Sequence, residues 1–196
     1  MLDSNIYLKN EVEQLTGSFK IRGALSALSN LKSKGTNGVV AYSSGNHAQG
    51  VSKAAQIFDM HAIIVMPEDA PQNKIQKTKA NGAEVVLYKR HIESREEIAI
   101  KIAEENNYPL VKPFDDEDII AGQGSFGIEA CEFFLSNNIT PDIVLSCTSG
   151  GGLVAGTSIA FKHYYPNVEI YPVEPATCND TEAVSYTHLT LPTILL

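Results

Sequence analysis

Short apolar runs separated by stretches of helical periodicity recur along this chain and limit it to a small set of folds. "GVVAY" (38–42) reads as a short buried strand, and "HAIIVM" (61–66), stopped by Pro67, "AEVVLY" (83–88), "DIVLSC" (142–147) and "VEIYPVEP" (168–175) read as further strands. Between them, "HAQGVSKAAQIF", "QNKIQKTKANG", "ESREEIAIKIAEENN" and "SGGGLVAGTSIAFKHYY" read as helices. Upstream, "KIRGALSALSNL" puts Ile21, Ala24, Leu25, Leu28 and Leu31 on one helical face, with Gly35 placed to end it. "PLVKP" reads as a weak strand, and a helix is expected from about Glu117 to Asn138. Strands spaced by helices in this rhythm make βαβ units and a mostly parallel sheet. Ligands of such sheets sit beyond the carboxyl ends of the strands, so function is sought in the loops that follow them.

The two ends depart from this pattern. "NIYLKNE" (5–11) reads as a core strand almost at the start of the chain. "VSYTHLTLPTILL" (184–196) loses the alternation and resembles read-through of cloning sequence, so it is excluded as a non-native tail. A native start and end are both expected to lie outside the chain.

Hydrophobic residues at 43% and charged residues at 19% of 196 describe a folded protein. Acidic residues outnumber basic ones, 23 to 15, for a net charge of −8. That balance argues against a general nucleic-acid or anionic-membrane surface. Cys131, Cys147 and Cys178 are far apart and form no CxxC pair, which suits a reducing compartment better than a disulfide framework or a zinc site. No apolar run approaches a membrane span. A cytoplasmic protein is expected.

Three loops carry chemistry. "SCTSGGGL" follows a strand and opens a helix, and successive glycines let backbone N–H groups converge on an anion such as phosphate. A tight turn or close strand–helix packing would explain the same glycines, and the spacing is neither a dinucleotide fingerprint nor a Walker loop. "SSGNHAQG" gathers two hydroxyls, an amide and an imidazole at another helix N-terminus. Ser44 or Asn46 could serve as an N-cap, which accounts for one polar residue rather than four, so a carboxylate site is the sharper reading. Lys20, in "TGSFKIRGA", stands on the apolar shoulder of a helix start. Desolvation and the helix dipole would depress its pKa and free the amine to attack a carbonyl; a snorkelling surface lysine is the alternative. A phosphate cradle, a nucleophilic lysine and a carboxylate-binding turn are together the parts of a pyridoxal phosphate enzyme acting on an amino acid.

In this order, "TGSFKIRGA" (16–24), "SSGNHAQG" (43–50), "FDDEDIIAGQG" (114–124) and "SGGGLVAG" (149–156) resemble the serine/threonine dehydratase and serine racemase group of fold-type II pyridoxal phosphate enzymes. The resemblance runs from about Ile6 to Asp180. It implies an incomplete α/β fold of two doubly wound parallel-sheet subdomains, like the tryptophan synthase β fold. Residues 1–37 and 117–183 would belong to a larger cofactor-binding domain and 38–116 to a smaller α/β domain. Lys20 would be the Schiff-base lysine and general base, with Phe19 beside the pyridine ring and Asn46 bonded to the cofactor's 3′ oxygen. Ser149, Gly150, Gly151, Gly152 and Leu153 would hold the phosphate through backbone amides, although the family often has a fourth glycine where Ser149 stands. Ser43, Ser44, Asn46 and His47 would bind the substrate carboxylate.

"VEPATCND" resembles the family's divalent-cation loop, which implies Mg²⁺ or Ca²⁺ on Glu174, Asp180 and the Cys178 carbonyl; spacing alone favours a polar turn without an ion. The implied reaction is β-elimination of L-threonine, L-serine or a related 3-hydroxy amino acid to a 2-oxo acid and ammonia. Ser44, where many dehydratases have Ala, also permits a serine racemase with Ser44 as second acid–base group. Lys112 stands where dehydratases often have His. The family's partner for the pyridine nitrogen would lie beyond the tail, so a catalytically incomplete fragment that at most binds the cofactor is the reading from another class. Relatives of this kind are commonly homo-oligomers.

Overall fold

The computed structural model describes residues 5–183. The chain divides between Gln123 and Gly124 into two compact units. In the first, β1 (Gly38–Tyr42), β2 (His61–Pro67) and β3 (Glu84–Tyr88) form a parallel sheet in that order. Gly38 lies opposite His61 and Ile63 opposite Glu84. The helices α1 (Lys20–Ser33), α2 (Asn46–Ile57), α3 (Gln72–Ala80) and α4 (Arg95–Asn106) belong to this unit, and α5 (Glu117–Ser136) begins in it.

The central strand β2 is buried from Ala62 to Met66, as a strand covered on both faces must be. Side chains alternate along it. Ile64 and Met66 join Val39, Ala41 and the α1 and α2 residues Ala24, Leu28, Ala48 and Val51 in one core. Ile63 and Val65 join Val40, Tyr88 and Ala99 in the other, with Ile98 and Ile102 of α4 packed against it. The expected doubly wound arrangement is therefore present in this unit.

"PLVKP" pairs beside β1 over a single bridge, Val40 with Leu110. Val40 donates its N–H to Pro109 O at 3.0 Å, and Val111 donates to Val40 O at 2.8 Å. Pro109 and Pro113 lack N–H groups, which keeps the segment from extending as a full ladder.

Gly122, within "AGQG", is where α5 meets α1. A Cβ there would stand 2.6 Å from both the Arg22 carbonyl oxygen and the Gly23 Cα. Close backbone approach thus accounts for this glycine, while the Gln123 side chain beside it is fully buried with neither polar atom partnered.

The second unit holds the rest of α5, β4 (Ile143–Cys147), α6 (Gly152–Tyr164) and β5 (Glu169–Val173). β4 and β5 pair in parallel with Ile143 opposite Glu169, so α6 is their crossover. Cys131, Phe161 and Val168 form the core, with Phe134, Val144, Tyr165 and Ile170 against it. Burial pushes the Cys131 thiol up to about 11, and all three cysteines are unpaired. At Gly127 a Cβ would lie 2.8 Å from the Ala160 Cβ, so α5 and α6 also cross closely.

One expectation fails. Residues 5–10 form no strand, and Ile6 and Leu8 are 79% and 90% exposed. Among the described residues "NIYLKNE" pairs with no strand. The tail reading, 184–196, lies outside the described residues. Among the described residues no helix is long and apolar enough to cross a membrane.

Candidate active site

Lys20 is the first residue of α1, reached through a turn in which Gly17 has φ 72°. Its Nζ donates to the Pro113 carbonyl at 2.6 Å and lies 5.2 Å from the Phe19 ring centroid. Burial holds its pKa below the ordinary lysine range, because the ammonium loses hydration. Gly50 of α2 faces the start of α1: a Cβ there would be 3.0 Å from Lys20 O. The glycine that closes "SSGNHAQG" thus lets α2 press against the lysine's backbone, which joins two of the motifs physically.

The loop after β1 leads into α2. Ser43 donates its N–H to Val65 O at 3.1 Å, and Gly45 donates to Ser43 Oγ at 3.1 Å. The N-cap position is Gly45, with no side-chain cap bond, so neither Ser44 nor Asn46 is engaged as a cap. Ser43 and Ser44 are half-buried, and Asn46 is exposed. His47 is buried, its Nε2 3.1 Å from Val111 O and its Nδ1 without a partner. A carbonyl only accepts, so Nε2 carries the hydrogen.

Desolvation lowers the His47 pKa to about 4; the bond to Val111 O opposes that, and the nearby Lys20 charge adds to it. Folding therefore keeps this imidazole neutral where the unfolded chain, with an ordinary pKa near 6.5, would protonate it. The unfolded state then binds more protons between pH 6.5 and 4, and stability falls as pH drops through that window. At ~1.4 kcal/mol per pH unit the loss is on the order of 3 kcal/mol. Denaturant unfolding at pH 7 and pH 4.5 should show this slope for the native chain and a shallower one for His47→Gln.

Lys20, Ser43, Ser44, Asn46 and His47 thus belong to one unit, and carbonyls of one segment, Val111 and Pro113, receive both His47 and Lys20. The glycine loop belongs to the other unit. Ser149 and Gly150 are exposed, Gly151 has φ 83°, and Gly152 and Leu153 are buried in the first turn of α6. Among the described residues the amides of Ser149 through Leu153 have no hydrogen-bond acceptor, as expected where a helix opens. A Cβ on Gly151 would meet nothing within 4 Å, and the buried Thr148 Oγ1 beside the loop has no partner. Free amides, an unpartnered hydroxyl and open space over Gly151 fit a phosphate. The Lys20 amine, partly desolvated, fits an aldehyde carbon. These residues match the chemistry of pyridoxal phosphate.

The cation loop is less prepared. Glu174 accepts N–H bonds from Thr181 at 3.1 Å and Glu182 at 2.8 Å, and Cys178 is exposed. Among the described residues no group of three His, Cys, Asp or Glu side chains is arranged to hold a metal ion. What sequence reasoning missed is mostly backbone: the Val111 and Pro113 carbonyls give no signal through residue identity.

Residues 1–190 match the family model described as pyridoxal-phosphate dependent enzyme. The chain is 40% identical over 179 residues to serine racemase of Schizosaccharomyces pombe, covering 90% of this chain and 54% of that protein. It is 41% identical over 180 residues to L-threo-3-hydroxyaspartate ammonia-lyase of Saccharomyces cerevisiae, covering 91% and 54%. A solved threonine deaminase, that of T.th., superimposes with a TM-score of 0.83 at 43% identity, over 90% of this chain and 56% of that one. The chain therefore spans about half the length of the relatives it matches.

Proposed function

The chain belongs to the pyridoxal-phosphate-dependent enzymes, and on that premise we propose that it serves β-elimination of a 3-hydroxy amino acid. Its fold is that of the fold-type II members, an α/β fold with parallel sheets. The substrates in view are L-threonine, L-serine and L-threo-3-hydroxyaspartate, and the products are a 2-oxo acid and ammonia. One observation carries the reading: a partly buried Lys20 amine of lowered pKa donates to Pro113 O, and its charge acts on His47 in the first turn of α2.

When bound, pyridoxal phosphate supplies an electron sink for the charge left at Cα when its proton departs. The chain's own residues do the rest. Ser149 to Leu153 would hold the phosphate on backbone amides, and Phe19 would lie beside the ring. The carboxylate would sit at the start of α2 against Ser43, Ser44 and Asn46, beside a His47 that burial keeps neutral. Lys20, its ammonium destabilised by burial, takes the Cα proton as a free amine. The Cα–H and Cβ–O bonds break, water leaves, and hydrolysis of the resulting enamine returns that water and releases ammonia.

Four further points belong to this proposal. The smaller domain is 38–116, supported by its own three-stranded sheet, and the cofactor-binding domain comprises 1–37 and 117–183. Mg²⁺ or Ca²⁺ would take the Glu174 and Asp180 carboxylates and the Cys178 carbonyl, with Glu174 keeping a free lone pair on each oxygen beside the amide it accepts. The compartment is cytoplasmic. The assembly is a homo-oligomer.

The test is to supply cofactor and each hydroxy amino acid and to measure 2-oxo acid and ammonia together. Equal yields of both are expected. Cofactor uptake without ammonia would instead favour the chain as a binding fragment. A second reading, racemisation, is favoured by Ser44 and by the likeness to a serine racemase. If it holds, Ser44→Ala should remove D-serine formation from L-serine by at least ~10²-fold while sparing elimination, as loss of one acid–base group predicts. Chiral chromatography of the products decides between them.

A further inference from the structure

Lys74 reaches from α3 to the N-terminus of α2. Its Nζ donates to Asn46 Oδ1 at 2.8 Å and lies 3.5 Å from Gln49 Oε1. Lys74 has no carboxylate partner among the described residues, so a surface ion pair does not explain its placement. Its backbone is fixed as well: Lys74 N–H donates to Pro71 O at 2.8 Å, and Thr78 Oγ1 donates to Lys74 O at 2.9 Å. Further along the same helix pair, Asn81 Nδ2 donates to Ser52 Oγ at 2.9 Å. Two polar links therefore tie α3 to α2.

An ammonium has three donors and no acceptor. The Asn46 amide must then keep its oxygen toward Lys74 and turn its NH₂ group away. Without that partner the two orientations of a surface amide are close in energy, and one of them presents an acceptor instead of donors. Gln49, 3% exposed, meets the same ammonium through its oxygen, and its buried Nε2 has no partner. The cation thus orders two amides on one face of α2.

We infer that Lys74 is a positioning residue that locks the Asn46 amide with its N–H donors presented to the pyridoxal hydroxyl oxygen. This rests on the functional reading above together with the role the resemblance implies for Asn46, a bond to the cofactor's 3′ oxygen. An acceptor there would oppose the oxygen's negative charge, whereas a fixed donor stabilises it. Lys74 touches neither cofactor nor substrate in this scheme. Its effect passes through Asn46 alone.

The test is a double-mutant cycle on the full chain with Lys74→Met, Asn46→Ala and both together, with Lys74→Arg as the conservative variant. Pyridoxal phosphate affinity is read by absorbance titration, and thermal melting confirms that each variant is folded. Lys74→Met should weaken affinity ~10-fold, the equivalent of ~1.4 kcal/mol. Lys74→Arg should restore most of it, and Lys74→Met should add nothing once Asn46 is Ala. Unchanged affinity in Lys74→Met, or an equal loss in the Asn46→Ala background, overturns the inference. A second readout needs no cofactor: the Asn46 side-chain NH₂ pair in ¹⁵N spectra of the free chain, identified by its loss in Asn46→Ala. That pair should move on Lys74→Met, and a pair that stays in place overturns the inference by itself. A native chain that takes up no cofactor but shows the shift would sink the functional reading and leave the Lys74–Asn46 lock standing.

Discussion

Lys20→Ala should abolish covalent capture of pyridoxal phosphate and lower elimination by at least ~10³-fold, since in the proposed reaction one residue supplies both the nucleophile and the base. The native chain, treated with cofactor and then borohydride, should carry the label on Lys20 in a single peptide. In the variant that peptide should be unlabelled. Melting temperature should change little, because the Lys20 bond to Pro113 O is one hydrogen bond at the rim of a helix. Lys20→Arg is the sharper control. It keeps the positive charge and can still donate to Pro113 O, but a guanidinium stays protonated and forms no carbon–nitrogen double bond. Arginine should therefore fail as completely as alanine. Because burial lowers the Lys20 pKa, the free amine persists to lower pH than in an exposed lysine, and the acid limb of activity should shift accordingly. Full activity with the label on Lys74 or Lys112 would remove Lys20 from the mechanism.

Most of the parallel architecture was legible because short apolar runs alternate with stretches of helical periodicity, although only β1 and β2 are buried along nearly their whole length. "HAIIVM" is apolar after His61 and "GVVAY" throughout, and they become the central strand β2 and its neighbour β1. "NIYLKNE" alternates rather than running apolar and forms no strand, since a strand needs a neighbour as well as a pattern. The site was legible where side chains or glycines carry it. Lys20, His47 and the loop at 149–153 could be picked out by residue type. The Pro113 and Val111 carbonyls could not, because every residue offers one. Nor could the pairing of Lys74 with Asn46, which lies 28 positions away and is brought near only by the α2–β2–α3 crossover. In "AGQG" the glycine was visible, but its reason, an α1 backbone 2.6 Å from any Cβ, belongs to the folded chain alone.

Gly151→Val should separate phosphate binding from every other property of the site. At φ 83° a valine is strained by ~1–2 kcal/mol, so a measurable fall in stability is expected. The new side chain meets no atom within 4 Å at its Cβ, so packing adds nothing further to that loss. It stands instead in the open space over Gly151, beside the acceptor-free amides of Ser149 to Leu153. Two displaced N–H bonds to a charged phosphate, at ~1.5–3 kcal/mol each, predict a fall in pyridoxal phosphate affinity of at least ~10²-fold. Pyridoxal without its phosphate gives the contrast. It depends on Lys20 and not on the glycine loop, so borohydride capture of pyridoxal on Lys20 should be the same in the native chain and the variant. A parallel loss for both compounds would mean that the valine damages the fold. Unchanged affinity for both would place the phosphate elsewhere. Only selective loss of the phosphorylated form makes this loop the phosphate cradle, because stability, lysine chemistry and ring packing are common to the two ligands.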